Sequence, residues 1–163
     1  MKKLAIVAVT TMFCAVGAFG VSITVPFFLD NAPADGSYPP SSDSASFIGI
    51  RNVSGDDILV ALEYFDAQSE QDQTPAENTF VLQQDQGISF RPTARDAGTE
   101  GPYAANNVPI MAQGFAGAVT ISWDGEPGDI IGRFTQVDTN GNIFAYGMGL
   151  GTASVREPDE DEG

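Results

Sequence analysis

The sequence predicts an all-β protein, an antiparallel β-sandwich of about seven to nine strands. Three observations carry that expectation. Short apolar runs rich in Val, Ile, Phe and Thr alternate with clusters of Gly, Pro, Asn and Asp, the pattern of sandwiches and barrels. No Gly- and Pro-free stretch of about a dozen residues repeats its apolar positions at helical spacing, so no long amphipathic helix is expected. Beyond residue 20 the chain has no cysteine, so packing alone must stabilise it; a chain of this size buries roughly two-thirds of its unfolded surface, which suffices for one core.

The first segment is of another kind. Met1-Lys2-Lys3 is a short cationic start, and Leu4 to Val16 carries no charge. The apolar run falls short of the about 20 residues a bilayer requires and suits a signal peptide instead. Ala18-Phe19-Gly20 puts small residues where a signal peptidase reads, so residues 1–20 are expected to be a helical, cleavable signal, cut after Gly20 or, as second choice, after Ala18. Phe13 before Cys14 is too bulky for a lipoprotein signal, and the two-lysine start is bacterial in style.

The mature chain then divides into a sandwich over residues 21–155 and an acidic, disordered tail over residues 156–163. Val21–Leu29 is the first expected strand, and Pro26 marks it as an edge. A loop rich in Pro, Ser, Gly and Asp runs from Asp30 to Ser44. Ser46–Val53 and Ile58–Phe65 read as a hairpin about the turn Ser54–Asp57, with Ile58, Val60, Leu62 and Tyr64 on one face. Asp66–Asn78 is hydrophilic enough to be an exposed loop. Thr79–Gln83 and Ile88–Arg91 read as a second hairpin about Gln84–Gly87, with Phe80, Leu82, Ile88 and Phe90 inward. After the long loop Pro92–Pro109 come Ala118–Trp123, Ile130–Val137 and Asn142–Met148. Val119, Ile121 and Trp123 alternate inward, and Asn140-Gly141 is a hairpin signal between the last two strands.

The run from Phe47 to Asp66, Phe-Ile-Gly-Ile-Arg-Asn-Val-Ser-Gly-Asp-Asp-Ile-Leu-Val-Ala-Leu-Glu-Tyr-Phe-Asp, resembles the strand–turn–strand openings of immunoglobulin-like modules on bacterial secreted and surface proteins, and Phe80–Arg91 looks like their next hairpin. The resemblance covers about a third of the chain. It implies an Ig-like sandwich without the antibody disulfide, with Trp123 too late in the chain to match the antibody tryptophan. It implies no active site, since folds of this kind host many functions.

Charge narrows the partners. The mature chain has neither lysine nor histidine; five arginines stand against 22 carboxylates. Nucleic acid is not expected as a partner, because phosphate binding needs clustered cations. Nor is membrane insertion expected after signal cleavage, and an anionic bilayer surface would repel the chain. Without histidine or cysteine, serine–histidine, cysteine–histidine and zinc-hydrolase chemistry are not on offer, leaving paired carboxylates as the only familiar catalytic device. The chain is therefore expected not to be an enzyme and to need no cofactor, with calcium as the one candidate ion.

For calcium, Asp124, Glu126 and Asp129 crowd one inter-strand loop and offer oxygen ligands. Asp138-Thr139-Asn140-Gly141-Asn142 opens like an EF-hand loop, but Ile143 stands where that loop needs Gly and Gly149 where it needs Glu, so the hairpin turn is preferred. Tyr38 and Tyr103 sit in the two long loops as candidate contacts for an extracellular protein or a carbohydrate; Trp123 and Phe115 are further aromatics, with Trp123 assigned to the core. Asn52-Val53-Ser54 matches a glycosylation acceptor and reads as a turn. Val21–Leu29 is an ordinary edge strand or, alternatively, a strand donated to a neighbour in self-association. The expectation is an exported protein, extracellular, surface-bound or periplasmic, with a structural or partner-binding role; a calcium- or carbohydrate-binding module comes second and a carboxylate-based hydrolase third.

Overall fold

The computed structural model of the protein describes residues 20–148; all of the expected signal peptide except Gly20, and the whole acidic tail, lie outside them. Eight strands form two four-stranded antiparallel sheets packed as a sandwich. They are β1 (Val21–Leu29), β2 (Ser44–Asn52), β3 (Ile58–Asp66), β4 (Thr79–Leu82), β5 (Gly87–Phe90), β6 (Ala116–Trp123), β7 (Ile130–Asp138) and β8 (Ile143–Met148). The first sheet runs β1-β6-β3-β4 and the second β5-β2-β7-β8. The period-two patterning decides which side chains meet between them. Val119, Ile121 and Trp123 of β6 lie opposite Tyr64, Leu62 and Val60 of β3, and all six are fully buried. Ile48 of β2 is flanked by Phe90 of β5 and Phe134 of β7 on the facing layer. Each such apolar side chain taken from water contributes about 1.5–3 kcal/mol.

β1 is an edge strand, paired with β6 from Val21↔Trp123 to Leu29↔Ala116. The register breaks between Val25 and Phe28, where Pro26 supplies no N–H, so the bulge falls where the ladder has least to lose. The hairpin between β7 and β8 forms as expected. Of Asn140 and Gly141 only Gly141 adopts positive φ, at 76°, while the Asp138 carboxylate accepts from the amides of Asn140 and Asn142 (2.8 and 2.9 Å).

Two expected hairpins are not hairpins. β2 and β3 lie in different sheets, as do β4 and β5, so Ser54–Asp57 and Gln83–Gln86 are arches that cross the sandwich. Asn52 is the physical reason. Its position in the alternation of β2 turns it inward, and it is buried where the two arches meet. Its Nδ2 reaches the carbonyls of Asp56, Leu82 and Gln83 at 2.7–3.1 Å, while its Oδ1 accepts from the Ser54 amide and hydroxyl. One side chain thus satisfies both crossings. The same burial withdraws Asn52 from any role as a glycosylation acceptor.

The loop after β5 also differs from expectation, because it holds two short helices, α1 (Ala97–Glu100) and α2 (Pro102–Asn107), that pack on β5. The Asp96 side chain caps α1 through the Gly98 amide (3.1 Å), and Pro102 begins α2, where its missing N–H costs nothing.

Candidate functional site

Sequence-selected residues come first. Asp124, Glu126 and Asp129 share the β6–β7 turn, but two of the three carboxylates are engaged by backbone amides, one on β3 and one within the turn. Asp124 Oδ1 accepts from the Leu59 amide (2.9 Å), and Asp129 Oδ2 accepts from the Glu126 amide (2.6 Å). Among the described residues no three Asp, Glu, His or Cys side chains gather closely enough to hold a metal ion. Trp123 is a core residue whose indole donates to the Glu126 carbonyl (3.0 Å). Tyr103, on α2, is half-buried and donates its hydroxyl to the Val81 carbonyl on β4; burial and, less, the Asp57 charge raise its pKa. Tyr38 stands 59% exposed, its ring 6.1 Å from that of Phe47 on β2. Tyr103 therefore spends its hydroxyl on the first sheet while Tyr38 lies against the second, and no contact between the two rings makes one platform of them.

Carboxylates do converge elsewhere, around Arg91. This guanidinium lies beneath the loops at the ends of β1 and β5, with its side chain 2% exposed. Its Nε and Nη2 donate to Asp30 Oδ1 (2.9 and 2.6 Å), and other N–H groups reach the carbonyls of Ala32 and Pro33. Asp30 Oδ2 accepts from the Thr93 amide and hydroxyl, and Asp96 lies 3.9 Å from Arg91. Glu100 accepts from the amides of Arg91 and Asp96. Burial raises the pKa of Glu100 against the pull of those two amides and of the Arg91 charge. Arg91, Asp30 and Thr93 join the loop after β1 to the loop after β5, while Glu100 braces the second loop from within. The arrangement is a structural lock, and it leaves no carboxylate facing solvent across a cleft.

The surface that is open lies on the outer face of the second sheet. Pairing fixes its layout: one row across the sheet reads Ser89 (β5), Gly49 (β2), Arg133 (β7), Gly147 (β8), and the next reads Gly87, Arg51, Ile131 on β5, β2 and β7. Glycine in these rows removes the side chains that would otherwise fill the face. A Cβ on Gly49 would lie 3.4 Å from Arg133 Cγ, and one on Gly87 3.8 Å from Arg51 Cγ, so each arginine stem rests over a glycine of the neighbouring strand. The result is a shallow depression of about 500 Å³ along Gly49, Arg51, Gly87, Ile131 and Arg133. A second hollow of about 270 Å³ continues it past Gly49, Ser89 and Arg133 to Phe47, Tyr38 and Thr135.

Its electrostatics run against the rest of the molecule. The chain has 22 acids and a net charge of −15, yet among the described residues no acid lines either hollow, and two of its few cations do. Arg51 and Arg133 are diagonal neighbours on one face, roughly 7–8 Å apart at the backbone. Arg51 has a loose, exposed partner in Asp85 at 3.7 Å, and Arg133 has no ion pair among the described residues. Like charges so placed oppose folding slightly, and no carboxylate of the sheet has been placed to relieve them. Sequence reasoning selected Tyr38 but missed both arginines; the legible signal was Gly inside predicted strands, which marks a close approach. Comparison with protein-family models, with curated proteins and with solved structures finds no match for the chain.

Proposed function

We propose that the protein is an exported, non-enzymatic binding module of the cell surface or periplasm, and that the outer face of the β5-β2-β7-β8 sheet contacts an anionic extracellular partner, a carboxylate-bearing glycan. One observation carries the reading: a glycine-floored hollow lined, among the described residues, by Arg51 and Arg133 and by no acid, on a chain otherwise crowded with acids. Guanidinium forks match carboxylates in geometry, and the exposed Tyr38 ring beside Phe47 offers the end of the groove an apolar wall for a sugar ring. The two-sheet architecture is one that immunoglobulin-like modules share, and kinship with them is part of the same proposal at that level only, since the paired hairpins that prompted it are arches.

The absence of catalysis in this proposal rests on two supports. The mature sequence has no histidine or cysteine, and the carboxylates that meet in the structure are sealed around Arg91. The test is binding of the mature protein to polygalacturonate and to neutral dextran, by calorimetry near physiological salt, where the Debye length of about 8 Å removes most long-range repulsion. Polygalacturonate is expected to bind and dextran not, with Arg133→Gln lowering affinity about tenfold, the loss of one charge-assisted contact. Equal binding of both polymers, or an affinity indifferent to Arg133→Gln, rules the reading out.

A further inference from the structure

The chain carries its own polyanion. Glu157, Asp159, Glu160, Asp161 and Glu162 crowd the C-terminal residues, beginning nine positions after the last residue of β8 in the sheet that bears the two arginines. Met148, the last residue of β8, pairs with Gly132, so the chain leaves the sheet beside Ile131, itself part of the hollow. From Gly149 to Asp159 an extended chain spans up to about 33 Å. Arg133 and Arg51 lie one and two strands from β8, roughly 10 Å away at most. Reach is ample. Spacing also agrees: in an extended peptide, side chains two residues apart point the same way at about 6.6 Å, close to the roughly 7–8 Å between the diagonal arginines.

We infer that the acidic segment Glu157–Glu162 docks across the Arg51–Arg133 hollow of its own chain and competes there with the external anion. This rests on the reading of that face as the contact surface. The segment's carboxylates, at i and i+2, meet the guanidiniums of Arg51 and Arg133, while Tyr38 and Phe47 stay open at the far end. Tethering makes the contact intramolecular, with an effective concentration in the millimolar range for a short flexible linker, so contacts too weak to hold a free peptide hold this one. An external polymer then gains access only by displacing the segment, which tunes affinity and favours ligands of high charge density.

The experiment compares the full mature chain with a full-length variant carrying E157Q, D159N, E160Q, D161N and E162Q, by amide nuclear magnetic resonance and by polygalacturonate binding. Neutralising the segment is expected to shift the amides of Gly49, Gly87, Ile131 and Arg133, and to tighten polygalacturonate binding about two- to tenfold. Adding Arg51→Gln and Arg133→Gln is expected to abolish that difference. Unchanged amides at those four residues overturn the inference. So do shifts that vanish on about tenfold dilution, which assign the hollow to a segment from a second copy. If polygalacturonate binds parent and variant alike, the competition fails while the sheet face stands as the contact surface. If it binds neither, the proposed function fails and the amide shifts alone decide the segment.

Discussion

Arg91 and Arg133 are the same residue put to opposite uses. Arg91 is sealed, with its N–H groups directed at Asp30, Asp96 and the carbonyls of Ala32 and Pro33. Arg133 lies open over Gly49 with no ion partner among the described residues. A buried charge must be surrounded by partners or the fold does not form, and once surrounded it has nothing left to offer a ligand. An exposed charge is under no such constraint. Where a chain rich in carboxylates gives Arg51 only the loose, exposed Asp85 and gives Arg133 none among the described residues, the surplus of donors is what a binding surface requires. The lesson concerns neighbours rather than residue type: the number of unspent donors separates scaffold from site.

Replacing Arg91 breaks this contrast most severely. Arg91→Met leaves Asp30 and Asp96 buried without a counter-charge, which costs about 3–5 kcal/mol of folding stability. Urea unfolding followed through Trp123 fluorescence measures it, since that indole sits in the shared core. Arg133→Gln, for comparison, is expected to change stability by no more than about 0.5 kcal/mol. Equal losses for the two variants would show that the outer face is also part of the scaffold and would remove the distinction.

Asn52 gives an intermediate effect and shows what the sequence can and cannot convey. All eight strands are legible, because alternation along Val21–Val25, Ile58–Tyr64 and Val119–Trp123 requires only counting by two. Sheet membership is not. A four-residue polar turn such as Ser54–Asp57 serves a hairpin and an arch equally, and the choice falls to a buried polar contact made with residues about 30 positions away at Leu82 and Gln83. Asn52→Leu strands those carbonyls and that of Asp56 in a buried site, at about 1–3 kcal/mol. Unfolding should register that loss while polygalacturonate binding by the folded fraction stays unchanged.

The hollow was hidden for the same reason. Arg51 and Arg133 lie 82 positions apart in sequence and become neighbours only when β2 takes β7 as its partner across nine residue pairs. Until then each reads as an ordinary solvated cation on a strand. Gly49 and Gly147 are the part of this face that sequence does display, since Gly in a strand gives up packing for access, whereas Gly87 reads as the end of a turn. The Arg91 lock was equally unreadable, because Asp30 and Arg91 are joined only by the meeting of two loops.

The smallest expected effect sets a half-buried carboxyl against a surface one. Loss of water holds the Glu100 carboxyl above its usual 4.5, so the folded chain binds that proton more tightly than the unfolded chain does. Its contribution to stability is fully present below about pH 4.5 and disappears as pH rises through the raised folded value. Asp138 has the opposite sign. Hydrogen bonds from Asn142, first its side chain and then its amide, hold the carboxyl below 3.8. Its contribution is present above pH 3.8 and disappears as pH falls through the lowered folded value. Melting temperatures between about pH 3 and 7 therefore separate the two groups. Glu100→Gln flattens the decline above pH 4.5, and Asp138→Asn flattens only the acid limb, and only in part, because Asp35, Asp66 and Asp72 are lowered as well. The general repulsion of an acidic chain tilts both curves alike and cancels in the difference. A Glu100→Gln curve parallel to the parent's above pH 4.5 would mean that the half-buried Glu100 carboxyl is solvated as fully in the folded chain as in the unfolded one, and that partial burial beside Arg91 does not perturb it.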